Sequence, residues 1–150
     1  MMMRAFIAAM LLVAASASAE VTYYATLAPT PAASGSTASG SATLVLNDAE
    51  TALSYNIVFS GLAGPETAAH IHRPDGTLAH HLPLRSPKIG TYSGLGSLDV
   101  MLLKAGQLYI LLHTEAHPGG ELKGFVAESQ VPVEGKTWGA VKSAYASALR

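Results

Sequence analysis

All six histidines of this 150-residue chain lie between positions 70 and 117, and their spacing suits a metal site built on β-strands. In Ala69-His70-Ile71-His72 one apolar residue separates two imidazoles. Strand periodicity turns residues i and i+2 to one face, so His70 and His72 point outward together if Ile71 points into a core. His113 ends a second apolar run, residues 108–114, on the face that carries Tyr109 and Leu111. Imidazole is the common protein ligand of zinc and copper, and such a site takes three or four donors. His70, His72 and His113 are the three candidate ligands. His80, His81 and His117 compete for a fourth place, which Glu115, Asp75 or water would also fill. The bland alternative is that strand histidines are polar groups facing water and that His80-His81 is an ordinary loop pair.

Other chemistry finds little support. There is no G-x-S-x-G, no Gly-rich phosphate loop and no H-E-x-x-H. Pro118-Gly119-Gly120-Glu121 reads as a tight turn between strands, with no helix N-terminus to receive a phosphate. The absence of cysteine excludes disulfide scaffolds, thiolate zinc fingers and iron–sulfur clusters. Nine Lys and Arg against ten Asp and Glu cannot form the basic stripe that nucleic acid requires.

The elements that must position the histidines follow from patterning. With 49% hydrophobic and 13% charged residues the chain can bury a core and is not of disordered composition. Residues 1–19 are set apart: MMMR is a positive start, AFIAAMLLVAA an apolar run too short to span a bilayer, and Ala17-Ser18-Ala19 a small-residue cleavage box. This order predicts a signal peptide cut after Ala19, and hence a secreted or periplasmic protein. Loss of Arg4 then leaves eight basic and ten acidic residues, 8 − 10 = −2. No later run approaches the ~20 apolar residues of a membrane span, so none is expected after cleavage.

Beyond Glu20, short alternating runs predict strands at 21–27, 42–47, 52–62, 67–74, 77–84, 93–100, 108–114 and 121–129. Residues 28–41 read as a flexible Pro/Ala/Ser/Gly connection, and residues 48–51 as a hairpin turn. Both faces of 108–114 look apolar, which predicts a central strand covered on both sides. The expected fold is all-β: an antiparallel Greek-key or immunoglobulin-like sandwich spanning 20–129, almost wholly strand, followed by a tail at 130–150. In the tail, Trp138, Val141, Tyr145 and Ala148 recur at helical spacing and predict a short amphipathic C-terminal helix. Leu53, Tyr55, Ile57, Phe59, Ile71, Leu108, Ile110 and one of Phe125 or Val126 are the expected core.

The segments AAHIHRPDG and AGQLYILLHTEAHPGGELKGFV, preceded by residues 31–47 and SYNIVFSGL, resemble the CHRD domain first described in chordin. The likeness covers roughly residues 21–127. Its most specific part is the closing box of Gly106, Tyr109, His113, Thr114, Pro118, Gly119, Gly120, Glu121, Lys123 and Gly124. Arg73 stands where the family usually has Gly after HIH, and His80-His81 where it often has a Gly-Pro-Val run. The resemblance implies an immunoglobulin-like β-sandwich in secreted or surface proteins and does not imply catalysis. A weaker likeness is to copper–zinc superoxide dismutase, in which His70 and His72 would match an HxH pair, His113 a later ligand, and His80 or His81 a bridging histidine. The dismutase disulfide has no counterpart.

Two functions are therefore expected from the sequence. The preferred one is an exported, non-enzymatic binding or structural module whose partner is an extracellular or envelope protein or a surface component. The other is a copper- or zinc-binding protein using the same histidines.

Overall fold

A computed structural model describes residues 20–128; the predicted signal peptide, the 130–150 tail and its amphipathic helix lie outside the described residues. Eight antiparallel strands form: β1 (Val21–Pro29), β2 (Ser39–Leu46), β3 (Ala52–Ser60), β4 (Glu66–His72), β5 (Leu78–His81), β6 (Lys88–Ser93), β7 (Tyr109–Thr114) and β8 (Leu122–Phe125). Their spatial order is β5-β4-β7-β8-β1-β2-β3-β6. β1 joins two sheets, since Val21 to Leu27 pair with β2 while Ala28 and Pro29 pair with β8. The result is the expected all-β sandwich, rolled nearly closed.

Alternation decides which side chains fill it. Leu53, Tyr55 and Ile57 of β3 face inward, as do Tyr23, Ala25 and Leu27 of β1, Ala69 and Ile71 of β4, and Ile110 and Leu112 of β7. Val126, not Phe125, enters the core, and Phe59 is only partly buried against it. Gly124 is required where β8 passes β1, because a Cβ there would press on the Thr26 carbonyl and the Leu27 side chain. The two open edges face each other through β5 and β6. There the His80 ring of β5 stacks on Tyr92 of β6 at 4.4 Å and 15°. Lys88 of β6 is wholly buried and its ammonium donates to Glu66 of β4 and to the Pro83 and Arg85 carbonyls. Burial lowers the Lys88 pKa, while Glu66 acts in the opposite direction to keep the charge.

Several expectations are corrected. The segment read as a strand at 93–100 instead turns and enters a helix, α1 (Ser97–Lys104), because Gly94 at φ +74° and Gly96 end β6. α1 buries Val100, Leu102 and Leu103 and carries Asp99 in its first turn and Lys104 in its last, each favourable to the helix dipole. It ends in a Schellman motif, with Gly106 at φ +67° donating to Leu103 O and Gln107 N–H donating to Leu102 O. The strand Lys88–Ser93 was not anticipated. The supposed flexible connection 28–41 is ordered: β1 runs to Pro29, a single 3-10 turn follows at Pro31–Ala33, and Ser36 donates to Glu121. β7 is central, between β4 and β8. Its outward residues Tyr109, Leu111 and His113 are half-buried, however, and not covered as a second core face would be. Among the described residues no helix is long and apolar enough to cross a membrane.

Candidate metal centre

β4 and β7 are paired so that His70 lies opposite Leu111, His72 opposite Tyr109 and Ala68 opposite His113. His113 is thus the diagonal neighbour of His70 on the outer face, within side-chain reach across an antiparallel pair. His70 is the hub. Its ring lies 5.3 Å from that of His72, edge-on at 88°, and 5.3 Å from that of His113 at 60°. One ring nitrogen from each of His70, His72 and His113 falls within 4.8 Å of the others. The cluster sits outside the core, on the reverse of Ala69, Ile71 and Leu112, as strand alternation predicts.

The tautomers of two neutral rings are set by backbone carbonyls. His72 Nδ1 lies 3.0 Å from Gly76 O and His113 Nδ1 lies 2.8 Å from Pro118 O. A carbonyl only accepts, so each Nδ1 carries the proton and each Nε2 of the neutral ring offers a lone pair. These two Nε2 atoms, together with His70 Nδ1, are buried and have no hydrogen-bond partner. Burial first, then the neighbouring His113, His72 and His81, lower the His70 pKa below that of an ordinary histidine. Three unpaired polar atoms in one place are costly unless something occupies the space between them. A zinc or copper ion is held by imidazole nitrogens at about 2 Å, and these three nitrogens are the ones that would hold it.

Each carbonyl is aimed by local structure. Gly120, at φ +115°, has no room for a Cβ, which would meet Leu111 Cδ1 at 2.6 Å. This close fold-back of the 117–120 turn over β7 brings Pro118 O to His113. The loop after His72 is closed by Arg73 N–H to Thr77 O and Gly76 N–H to Arg73 O. Arg73 then clamps the loop to α1: its Nε is 2.6 Å from Asp99 Oδ1 and its Nη2 is 3.0 Å from Asp99 Oδ2. Tyr92 also donates to Asp99, and its pKa is raised to about 12 by burial and then by that bond. Burial works to raise the Asp99 pKa, but Arg73 and Tyr92 prevail and hold it low. Replacing Arg73 by Ala should therefore cost about 2 kcal/mol, the scale of charged hydrogen bonds. A reduced urea midpoint at unchanged m-value is the expected reading, and an unchanged midpoint would show that the clamp contributes nothing.

The structure separates the competitors for a fourth position. β5 pairs with β4 with His70 opposite His81 and Ile71 opposite His80. His81 therefore shares the outer face, its ring 5.0 Å from that of His70. His80 points inward beneath Tyr92 and Tyr55. Burial, then His81, lower the His80 pKa. His117 closes a turn by exchanging backbone hydrogen bonds with Thr114. Asp75 is engaged by Thr77, and neither Glu115 nor His81 places a ligand atom within 4.8 Å of all three cluster nitrogens. Grooves along β2 and β3 (Thr43, Val45, Ser54) and beside α1 (Ser97, Val100, Met101) contain no histidine, so the site is not part of these clefts.

The pattern of the CHRD domain matches residues 14–126. The chain belongs to the CHRD domain family. No curated protein and no solved structure gave a match. In this CHRD domain the closing box has visible physical duties. His113 supplies a cluster nitrogen, and Thr114 donates from its hydroxyl to Glu121. Pro118 supplies the orienting carbonyl, Gly120 permits the fold-back, and Gly124 permits the strand crossing. The Arg73–Asp99–Tyr92 network escaped the sequence reading. Its one signal was Arg73 itself, a charged residue directly after the HIH strand.

Proposed function

We propose that this CHRD domain binds one copper or zinc ion through His70, His72 and His113. The observation that carries the reading is the set of three buried ring nitrogens that converge without any hydrogen-bond partner while the opposite nitrogens of His72 and His113 are held by backbone carbonyls. That pattern is what a histidine metal site needs, because the outer hydrogen bond fixes the ring and its tautomer. Neutral donors with no thiolate or carboxylate leave the ion its full charge, and copper(II) outranks zinc for imidazole sites in the general order of affinities.

Export through residues 1–19 and residence in the periplasm or outside the cell are part of the proposal, with an envelope protein or surface component as the setting in which the domain works. The sequence placed such a module ahead of a metal protein; the unpaired nitrogens favour a module that holds a metal. Elemental analysis of protein purified from its native envelope without an affinity tag tests this. About one copper or zinc per chain supports the reading, and a metal-free protein that also fails to take up either ion from solution rejects it.

A further inference from the structure

We infer that His81 is the fourth ligand of the ion, supplied by the edge strand β5 from the solvent side. The inference rests on the three-histidine reading above and concerns how that site is completed and opened. His70 and His81 are direct cross-strand partners, and their rings are already in contact at 5.0 Å and 73°. Among the described residues the His81 ring has no hydrogen-bond partner, in contrast to His72 and His113, whose Nδ1 atoms are committed to carbonyls. The His81 ring nitrogens do not lie within 4.8 Å of all three cluster nitrogens, but the side chain is exposed on a four-residue strand with one paired neighbour, so a rotamer change is what brings one of them in. The inward stack of His80 on Tyr92 anchors the strand while leaving the next residue free to turn. His80 itself is on the wrong face to ligate.

This division of labour has a consequence for exchange. Three half-buried imidazoles on β4 and β7 form the fixed base. The one exposed imidazole is the ligand that leaves first, and an incoming small donor takes its place. The ion therefore enters and departs on the β5 side, and the fourth position is where a soluble ligand such as free imidazole competes.

Copper(II) added to the untagged full chain, read by electron paramagnetic resonance and by competition with a chelator, tests the assignment. The native protein should show four nitrogen donors. His81→Ala, and His81→Asn as a second variant, should show three, with affinity reduced about a hundredfold, and added imidazole should restore the native spectrum. His80→Ala and His117→Ala should retain four. If the His81 variants keep the native spectrum and affinity while His72→Ala loses both, the fourth-ligand inference is wrong and the three-histidine site stands. If the native chain takes up no copper, both readings fall together.

Discussion

Replacing His72 by Ala should lower copper(II) affinity by a factor of about 10²–10³, and replacing His113 should do the same. The magnitude follows from what one donor contributes. A structural site with four ligands binds zinc with an apparent 10–16 kcal/mol, so each ligand carries roughly 2.5–4 kcal/mol, a factor of about 10²–10³. Both residues are preoriented, and neither has a neighbour able to substitute, because Tyr109 fills the position opposite His72 and stacks on it at 5.3 Å. His117→Ala should change affinity little, since its role is to close the 114–117 turn through its backbone. Competition titration against a chelator of known affinity measures each case. Equal and weak binding by the native chain and by a triple His70/His72/His113 alanine variant would reduce the cluster to polar decoration.

The same site has a defined response to pH. Ligation needs neutral rings, so affinity falls as the histidines protonate. Burial, and then the charges of His113, His72 and His81, hold His70 below the ordinary value of 6.5; its ligation survives slightly more acid than a free histidine would allow. For the metal-free protein the sign runs likewise. The unfolded chain protonates His70 at its ordinary value while the folded chain resists. Stability is therefore undiminished above about 6.5 and is lost as pH falls from there toward the lower folded value.

What was legible in the sequence was whatever depends on alternation along one strand. The pairing of His70 with His72 on one face, the inward Leu53, Tyr55 and Ile57, and the outward cluster all come from a period of two. The adjacency of the HIH strand to the strand ending in His113 was a wager on non-local pairing, which no local pattern contains. The choice among His80, His81 and His117 was hidden for the same reason, since it depends on the register of β5 against β4. α1 was misread because SGLGSLDV is short and apolar, a length at which periodicity does not separate strand from helix. The decisive signals were punctuation: Gly94 and Gly96 before it, Lys104-Ala105-Gly106 after it. Residues 28–41 looked flexible by composition, yet Ser36 and the Thr30 backbone are tied to Glu121, a partner some ninety residues away.

Glu121 is where fold and site meet, and its replacement by Ala should be the most damaging single truncation outside the apolar core. The residue is fully buried. One carboxylate oxygen accepts from Ser36 Oγ at 2.6 Å and from Ala63 N–H at 2.8 Å, and the other accepts from Thr114 Oγ1 at 2.7 Å. These donors come from the β1–β2 connection, the β3–β4 connection and the end of β7, so one side chain fastens three segments far apart in the chain. Burial favours the neutral acid, but the hydrogen bonds from Ser36, Thr114 and Ala63 outweigh it and keep the pKa below the ordinary 4.5. Removing the carboxylate strands buried donors at about 1–3 kcal/mol each, so a loss of about 3 kcal/mol or more is expected. The depressed pKa fixes the acid limb: this stability is fully present above about 4.5 and is lost as pH falls through the lower folded value. The Glu121→Ala variant should therefore show a flatter stability profile than the native protein below about pH 4.5, and a parallel one above it, in urea titrations. Thr114 and Gly120 bracket the turn that aims Pro118 O at His113, so the variant should also bind copper some 10–100-fold more weakly, the usual cost of disturbing a group that orients a ligand. A variant with native stability but weakened metal binding would confine Glu121 to the turn; the reverse result would confine it to the fold.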